Sequence, residues 1–535
     1  MQVAAFIALL ISAWLWAGPA VMRPGIFDGD AAHHVFWLYQ YADPTLYPND
    51  LTVRYLRTSA PLGYRALYAS IAPFFDVLSA CEWLSVAVSM LTGAIAWKLA
   101  AAVADDEDAP LRGMLGVIAY IVLLACSASI DLMPAMAFQR TFAFPFTLLC
   151  MYGLVSHRYG WVGVSWIGAA LFYPVLLPVL GVGSGIVFLR DMVLTRRMPD
   201  TWIINGLCGA ASLVLALFFM PKAPELGPAY TYAQAVQMPE YGDDGRLQLF
   251  FHGSFTGNYL RFHMMGMGWG PYHLLVVGLG VLAAWMFGQK RLLPFAVWTL
   301  PGVGFVFWIA MRLMPEKLMF GLYLPNRHTR WSYGAFAIVA GAAGMYALIK
   351  AVQRRLANPS AMRIAYGLAA LAPIAAIAFT LPHYREVMAR PVDEDLEKVY
   401  AFVATLPSDT LIAAHPDIAS YIPLRTRHSV IASTETAMPW LERYYAIMKP
   451  RIEAQFRAAY AADATQMDAE LRPYKPNVFI VGPPAWDMVR YFDPYNAMVQ
   501  PLLARGRAQG FGLQHPPQDR ILFESGGYYV LRVMP

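Results

Sequence analysis

Charged side chains are what this chain lacks most. They make up 14 % of its 535 residues, and hydrophobic residues make up 58 %, whereas soluble domains carry roughly 25 % charged residues. Much of the chain is therefore predicted to be solvated by lipid instead of water. The formal net charge of +5 is small and spread along the sequence. Because no basic patch with a recognition motif is present, the charge does not argue for a nucleic-acid partner.

Cysteine is also scarce, and its positions give no framework for a disulfide or a metal site. The four cysteines lie in apolar segments without metal-ligand spacing, so each is interpreted as a small buried hydrophobic residue. They are Cys81, Cys126, Cys150 and Cys208.

Apolar stretches long enough to cross a bilayer, which takes about 20 residues, recur over the first 381 positions. They predict a polytopic α-helical membrane protein with about eleven transmembrane helices. Pro174 and Pro178 interrupt region 160–190, which fits one kinked helix or two short ones. The first stretch lacks a positively charged start and is interpreted as a retained helix, not a signal peptide. The predicted spans lie near 3–22, 77–99, 112–130, 138–156, 160–175, 176–190, 202–220, 270–288, 293–312, 332–350 and 363–381.

Lysine and arginine clusters near helix ends predict the orientation in the membrane. Clusters near 190–197, 290–291 and 350–363 are assigned to the cytoplasm by the positive-inside rule. This assignment places the N-terminus inside and the C-terminus outside. The long loops 23–76 and 221–269 then lie on the extracytoplasmic side.

From position 382 onward charged residues become frequent and apolar runs shorten to strand length. Strand-like runs at 410–414, 429–432, 477–482 and 521–533 alternate with helical patterns. They predict a small soluble α/β domain over 382–535 with a largely parallel sheet. It would follow a transmembrane domain over 1–381. Ser525, Gly526 and Gly527 predict a hairpin turn near the end. Polar residues near the strand ends are interpreted as a scaffold or an acceptor-recognition surface: His415, Asp417, Arg425, Arg427, His428 and Glu435.

The stretch after the first helix, residues 27–51, concentrates the ionisable groups of the N-terminal region. Asp28 and Asp30 flank a glycine, so they could share a divalent cation, or one of them could act as a general base. His33 and His34 are adjacent and would point about 100° apart on a helix. One of them is expected to line a site while the other packs. The alternative is a solvated loop with ordinary caps, and Asp43 and Asp50 are themselves interpreted as turn and cap residues.

Cationic side chains at the predicted outer surface are candidates for binding a phosphate, because a guanidinium can donate to it through two hydrogen bonds. Arg140 opens the fourth predicted span, where it needs either an anionic partner or contact with lipid headgroups. The full set is Arg54, Arg57, Arg140, Arg327, His328 and Arg330.

These features resemble the GT-C superfamily of integral-membrane glycosyltransferases, which use polyprenyl-phosphate-linked sugars. The resemblance rests on the acidic motif of Asp28 and Asp30 in the first outer loop, and on many spans followed by an extracytoplasmic domain. The stretch QRTFAFP, which ends at Pro145, and YKPNVFIVG, which ends at Gly482, look like uncharacterised bacterial members.

The resemblance implies inverting transfer of a sugar to an extracytoplasmic glycan, lipid or protein acceptor, in a bacterial inner membrane. Asp28 or Asp30 would be the general base or a ligand of Mg²⁺ or Mn²⁺. Arginine and histidine side chains would bind the donor and acceptor, among membrane lipids. The substrate-binding candidates are His33, His34, Arg54, Arg57, Arg140, Arg327, His328 and Arg330.

Two other functions stay open. A transporter or flippase would place ionisable residues near the bilayer midplane and often shows repeats. Here the predicted midplanes are nearly uncharged, with Glu82 as the main exception, and no repeat is visible. A non-catalytic assembly or scaffold protein would use its outer domain to bind a partner.

Overall fold

The structure is a computed structural model that describes most of the chain outside 248–329. The described residues are 2–22, 33–103, 107–126, 137–196, 202–219, 222–235, 237–247, 278, 330–356 and 392–535, with scattered positions between 360 and 389. Asp28, Asp30, Arg327 and His328 lie outside them, as do the predicted span 293–312 and all of 270–288 except residue 278.

The described part of the chain up to residue 356 is mainly helical. Three stretches are long and apolar enough to cross a membrane: Val77–Ala101, Pro174–Thr195 and Gly334–Arg355. The helices are α1 (Gln2–Met22), α2 (Leu51–Thr58), α3 (Leu62–Ile71), α4 (Val77–Ala101), α5 (Ala109–Cys126), α6 (Ala143–Val155), α7 (Gly160–Phe172), α8 (Leu177–Thr195), α9 (Trp202–Phe218), α10 (Tyr232–Ala235) and α11 (Arg330–Leu356).

The region 160–190 forms two helices, α7 and α8, joined by a 3₁₀ turn at Pro174–Leu176. Proline disfavours a helical conformation in the residue before it, and α7 accordingly ends at Phe172. With 13 residues, α7 is about 20 Å long, which is less than the ~30 Å hydrocarbon core of a bilayer.

Helix α4 is central to the packing, since it contacts α1, α5 and α6, while α11 packs against α5. Small residues allow these close approaches, as is usual between membrane helices. A Cβ atom at Gly93 of α4 would lie 2.3 Å from Cδ1 of Leu9 in α1. Cys81, Cys150 and Cys208 are free thiols.

The described part of the loop between α1 and α4, residues 33–76, has turns and caps, and we call it the outer loop after its predicted position. Asp50 accepts hydrogen bonds from the backbone N–H groups of Thr52 (2.8 Å) and Val53, and so caps α2. Asp43 accepts from the backbone N–H of Thr45 at 2.9 Å. The prediction of turn and cap chemistry at Asp43 and Asp50 is confirmed.

The C-terminal region contains a four-stranded sheet in the order β1-β2-β4-β3, with helices around it. Only β1 and β2 pair in parallel, whereas β2 with β4 and β4 with β3 pair antiparallel. The prediction of a largely parallel sheet is therefore wrong, because the final two strands form a hairpin. The elements are α12 (Glu394–Val403), β1 (Ile412–Ala414), α13 (Pro416–Ala419), α14 (Ile422–Thr426), α15 (Glu442–Ala459), α16 (Ala464–Leu471), β2 (Val478–Val481), α17 (Pro483–Trp486), α18 (Tyr495–Gln509), β3 (Ile521–Ser525) and β4 (Tyr528–Arg532).

Two strand predictions have different outcomes. The hairpin turn predicted at 525–527 is confirmed, and Gly526 and Gly527 both have positive φ there. The apolar run 429–432, which was expected to be strand-like, makes only an isolated bridge between Val430 and Ile412.

The outer loop connects the membrane helices to the C-terminal region through buried and stacked side chains. The Tyr47 hydroxyl donates to the carbonyl oxygen of Pro423 at 2.8 Å. The rings of Tyr55 and Tyr444 stack with centroids 4.3 Å apart. This loop therefore brings residues of the two regions into one site.

Candidate functional site

A cavity of about 790 Å³ opens where the outer loop meets the C-terminal sheet. Its size is within the range of roughly 300–1,000 Å³ that is typical of ligand sites. We call it the acidic pocket. It is lined by His33, Asp417, Ser420, Tyr421, Thr434, Glu435, Pro484, Asp487, Met488, Val489, Arg490, Tyr491 and Phe492.

Sheet topology explains why these side chains meet. Strands β1 and β2 are parallel neighbours, so their carboxyl ends share one edge of the sheet. Asp417 lies three residues after the end of β1, and the segment 484–492 follows the end of β2. Crevices at the carboxyl ends of parallel strands are where α/β proteins usually bind ligands.

Asp417 is the half-exposed carboxylate on the β1 side of the acidic pocket. Its Oδ1 lies 3.2 Å from the Tyr491 hydroxyl, which is also 3.0 Å from Oγ1 of Thr434. Partial burial and the negative charge of Glu435 raise the pKa of Asp417, although the hydrogen bond from Tyr491 opposes the shift. The carboxylate of Asp417 and the hydroxyl of Tyr491 can together bind a ligand hydroxyl or a cation.

Glu435, the second carboxylate, is held by Arg246. The Arg246 guanidinium pairs with Glu435, donates to the carbonyl oxygen of Thr434 and lies 5.7 Å from the centre of the Phe492 ring. The segment that carries Arg246 is itself anchored, since Glu240 accepts hydrogen bonds from Tyr445 (2.6 Å) and Lys449 (3.0 Å).

His33 joins the acidic pocket from the loop between α1 and α4. Its ring is buried, and its Nδ1 lies 3.1 Å from the carbonyl oxygen of Ser420. A carbonyl oxygen can only accept, so Nδ1 carries the proton. The Nε2 atom then faces Glu435 at 3.9 Å.

His34 points elsewhere, as expected for adjacent residues in the helical segment 33–35. It is exposed, and its ring is nearly parallel to that of Phe138, with the centroids 6.3 Å apart. The guanidinium of Arg140 lies 4.4 Å from the centre of the same Phe138 ring, and Arg140 is buried. We call His34, Phe138 and Arg140 the Arg140 cluster.

The other predicted residues do not line the acidic pocket. Arg54 and Arg57 are exposed on α2, where Arg54 lies 3.5 Å from the Asn49 amide oxygen and Arg57 6.0 Å from the centre of the Trp37 ring. Arg330 is the first residue of α11. Asp28, Asp30, Arg327 and His328 lie outside the described residues.

Several pocket residues were not singled out from the sequence, namely Asp487, Arg490, Tyr491 and Phe492. Their position directly after a buried strand was the available signal. The polar residues that were predicted near the strand ends do not all lie in one place. Asp417 and Glu435 line the acidic pocket, whereas Arg425 pairs with Glu397.

Among the described residues, no group of three or more His, Cys, Asp or Glu side chains is arranged to hold a metal ion. The predicted Mg²⁺ or Mn²⁺ site at Asp28 and Asp30 falls outside this part of the chain.

No family model matches the chain, and no curated protein matches it. Solved structures similar to it include two of the oligosaccharyltransferase of Archaeoglobus fulgidus. The complex with zinc and sulfate is 10 % identical with a TM-score of 0.40, over 90 % of this chain and 68 % of that chain. The form tethered through a disulfide bond to an acceptor peptide with the NVT sequon is 11 % identical with a TM-score of 0.46, over 90 % and 69 %. Similarity at this level does not establish a shared function.

Proposed function

We propose that the protein is an inverting membrane glycosyltransferase that transfers a sugar from a polyprenyl-phosphate donor to an acceptor held in the acidic pocket. The single observation that carries the proposal is the shared construction of that pocket. His33 of the first outer loop and Asp417 and Glu435 of the C-terminal sheet line one cavity. The loop that would carry the catalytic carboxylates thus contacts the surface that would bind the acceptor.

The donor is proposed to bind on the side of the Arg140 cluster. A lipid-linked donor must keep its tail in the bilayer while its sugar reaches a polar acceptor. Its phosphate would therefore lie at the outer ends of the spans, where α6 begins just after Arg140. As the phosphate departs it gains negative charge, which a buried guanidinium stabilises. Arg54, Arg57, Arg327, His328 and Arg330 remain proposed donor contacts.

Asp28 or Asp30 is proposed to remove the proton from the acceptor hydroxyl as the general base. Asp30 precedes His33 by three positions, and three residues of chain span at most about 11 Å. A base on this segment is therefore within reach of the pocket that His33 lines. If Mg²⁺ or Mn²⁺ takes part, Asp28 and Asp30 would hold it, and the cation would neutralise charge on the donor phosphate.

The orientation belongs to the same proposal. The acidic pocket and the Arg140 cluster would face the extracytoplasmic side of a bacterial inner membrane, with the N-terminus in the cytoplasm. Acceptors available there are glycans, lipids and proteins.

The test is transfer by the purified protein in lipid nanodiscs, with polyprenyl-phosphate donors that carry a labelled sugar. Asp28→Asn and Asp30→Asn are compared with Asp43→Asn, a matched control in the same loop whose turn geometry asparagine preserves. We expect at least one of the first two variants to lose about 100-fold or more in rate, the lower range of general-base effects. Full activity of the double variant would refute the assignment of the base.

Transport of a lipid-linked substrate is the second candidate, and the observation that favours it is Glu82. This carboxylate is 8 % exposed within α4, above Ser85 and Ser89 on the same helix. Those hydroxyls are, however, bonded to the Cys81 carbonyl oxygen and to Tyr120, which is typical of helix packing. Substrate flux into proteoliposomes without any sugar transfer would favour this function.

A further inference from the structure

We propose that the acidic pocket selects an acceptor that carries a primary ammonium group, specifically an amino sugar. This inference rests on the proposed function and deepens it, because it names the chemical class of the acceptor. It is carried by the cavity, by the distribution of charges around it and by a buried histidine behind it.

The first step is the pairing of charges. Asp417, Glu435 and Asp487 line the acidic pocket together with the guanidinium of Arg490. Arg490 is already paired with Asp244 at 2.6 Å, and Glu435 is paired with Arg246. Within the described residues, neither Asp417 nor Asp487 has a Lys or Arg at ion-pair distance. Lysine and arginine side chains of the described residues therefore leave part of the negative charge of the pocket unbalanced.

The second step concerns His415, which lies behind Asp417. It is fully buried, its Nδ1 lies 4.0 Å from Oδ2 of Asp417, and neither ring nitrogen has a hydrogen-bond partner in the described structure. Burial lowers the pKa of His415 to about 3, so the ring is neutral near pH 7. His415, the basic side chain that the described structure places at 4.0 Å from Asp417, thus does not supply positive charge to it, and a ligand cation would.

The third step excludes phosphate and favours an ammonium. An anionic group would meet two unbalanced carboxylates, whereas an ammonium would gain both of them as hydrogen-bond acceptors. The rings of Tyr421, Tyr491 and Phe492 also line the pocket, and aromatic faces attract cations.

The fourth step favours a sugar as the carrier of the ammonium. The hydroxyls of Tyr491 and Thr434 form a chain that ends at Asp417. Each hydroxyl can donate or accept, so the chain can extend to the hydroxyls of a sugar. The flat faces of the aromatic side chains suit the apolar face of a pyranose ring. A lysine side chain offers an ammonium without these hydroxyls.

The experiment measures binding to the full-length protein in nanodiscs, without donor, by isothermal titration calorimetry. The probes are a trisaccharide of β-1,4-linked glucosamine, its N-acetylated counterpart and a short lysine-containing peptide, at a pH below the pKa of the amine. We expect the glucosamine trisaccharide to bind about tenfold or more tightly than the N-acetylated one, since one charged hydrogen bond has roughly that effect.

The variant Asp417→Asn should weaken binding of the glucosamine trisaccharide by about 10- to 100-fold. The matched control is Asp519→Asn, an exposed carboxylate in the turn Gln518–Arg520 that does not line the pocket. Asp487→Asn, at an exposed position, provides a second test with little risk to folding. Thermal unfolding of each variant separates lost binding from lost structure.

Equal binding of the amino and N-acetylated trisaccharides would overturn the inference, and so would unchanged binding by folded Asp417→Asn. If the lysine-containing peptide binds more tightly than the glucosamine trisaccharide, the assignment of the ligand as a sugar is overturned. Failure of the proposed catalytic function is distinguishable, because binding is measured without donor. Tight binding of the glucosamine trisaccharide by a wild-type protein that transfers no sugar would refute the transferase and leave the assignment of the pocket intact.

Discussion

Two adjacent histidines lead into opposite chemical environments. His33 is buried and faces the carboxylate of Glu435, whereas His34 is exposed beside Phe138 and Arg140. One side of the outer loop is thus acidic and the other basic. A helical segment of only three residues is enough for this separation, because neighbouring side chains diverge by about 100°.

The difference between the two sides matches the two substrates that a transferase must hold. A departing phosphate needs positive charge, which the Arg140 cluster has. An acceptor hydroxyl needs hydrogen-bond acceptors, which the carboxylates of the acidic pocket provide. The same carboxylates would repel a competing phosphate. Keeping the charges apart on one loop allows two ligands of opposite charge to approach the same segment. The predictions that follow alter one side at a time.

The largest effect is expected on the basic side. Replacing Arg140 with alanine should slow sugar transfer roughly 100- to 1,000-fold, because a preorganised donor to the leaving group would be lost. Arg140→Lys should recover part of the rate, since it keeps the charge but not the planar fork. Initial rates at saturating acceptor measure both. Arg443→Ala, at an exposed position on α15, is the control. A rate within twofold of wild type for Arg140→Ala would mean that the basic side does not hold the phosphate.

On the acidic side, Arg246 is expected to act as a positioning residue. Arg246→Gln removes the ion pair to Glu435 and should raise the KM for the acceptor by about 10-fold or more, as for loss of a charged hydrogen bond. Hydrolysis of the donor without acceptor should keep its kcat. Equal losses in both reactions would indicate a general structural defect and would remove the distinction between the two sides.

Candidate residues of the basic side could be named from the sequence, whereas the acidic pocket could not be assembled from it. His34 and Arg140 stand out because each lies beside a long apolar segment. Asp417 and Tyr491 are 74 residues apart, and Arg246 and Glu435 are 189 apart. They meet only because β1 and β2 are parallel neighbours and the segment 237–247 docks on α15.

The error in the sheet has a similar cause. Alternating strands and helices predict parallel pairing, but strands β3 and β4 are joined by a turn at Gly526 and Gly527, which forces them antiparallel. Local sequence marks that turn correctly, and it does not reveal that β4 inserts beside β2.

A smaller effect is expected from His415, the buried histidine behind Asp417. Its pKa is about 3 in the folded protein and near 6.5 as the ordinary value. Between these values the unfolded state binds the extra proton, so stability should fall as pH decreases from about 6.5, by up to about 1.4 kcal/mol per pH unit. Denaturant unfolding of wild type and His415→Leu across this window measures the difference. The same pH slope in both proteins would contradict a buried neutral histidine.

The smallest effect tests the acidic side through a single hydroxyl. Tyr491→Phe removes a hydrogen bond that lowers the pKa of Asp417, so that pKa should rise further. Because an ammonium ligand needs the carboxylate ionised, its binding should then weaken at a higher pH than in wild type. The loss at neutral pH should be only about three- to tenfold, the size of one neutral hydrogen bond. Binding of the glucosamine trisaccharide as a function of pH measures the shift, with Tyr474→Phe as a control outside the pocket. A shift toward lower pH would mean that Tyr491 does not stabilise the charged form of Asp417.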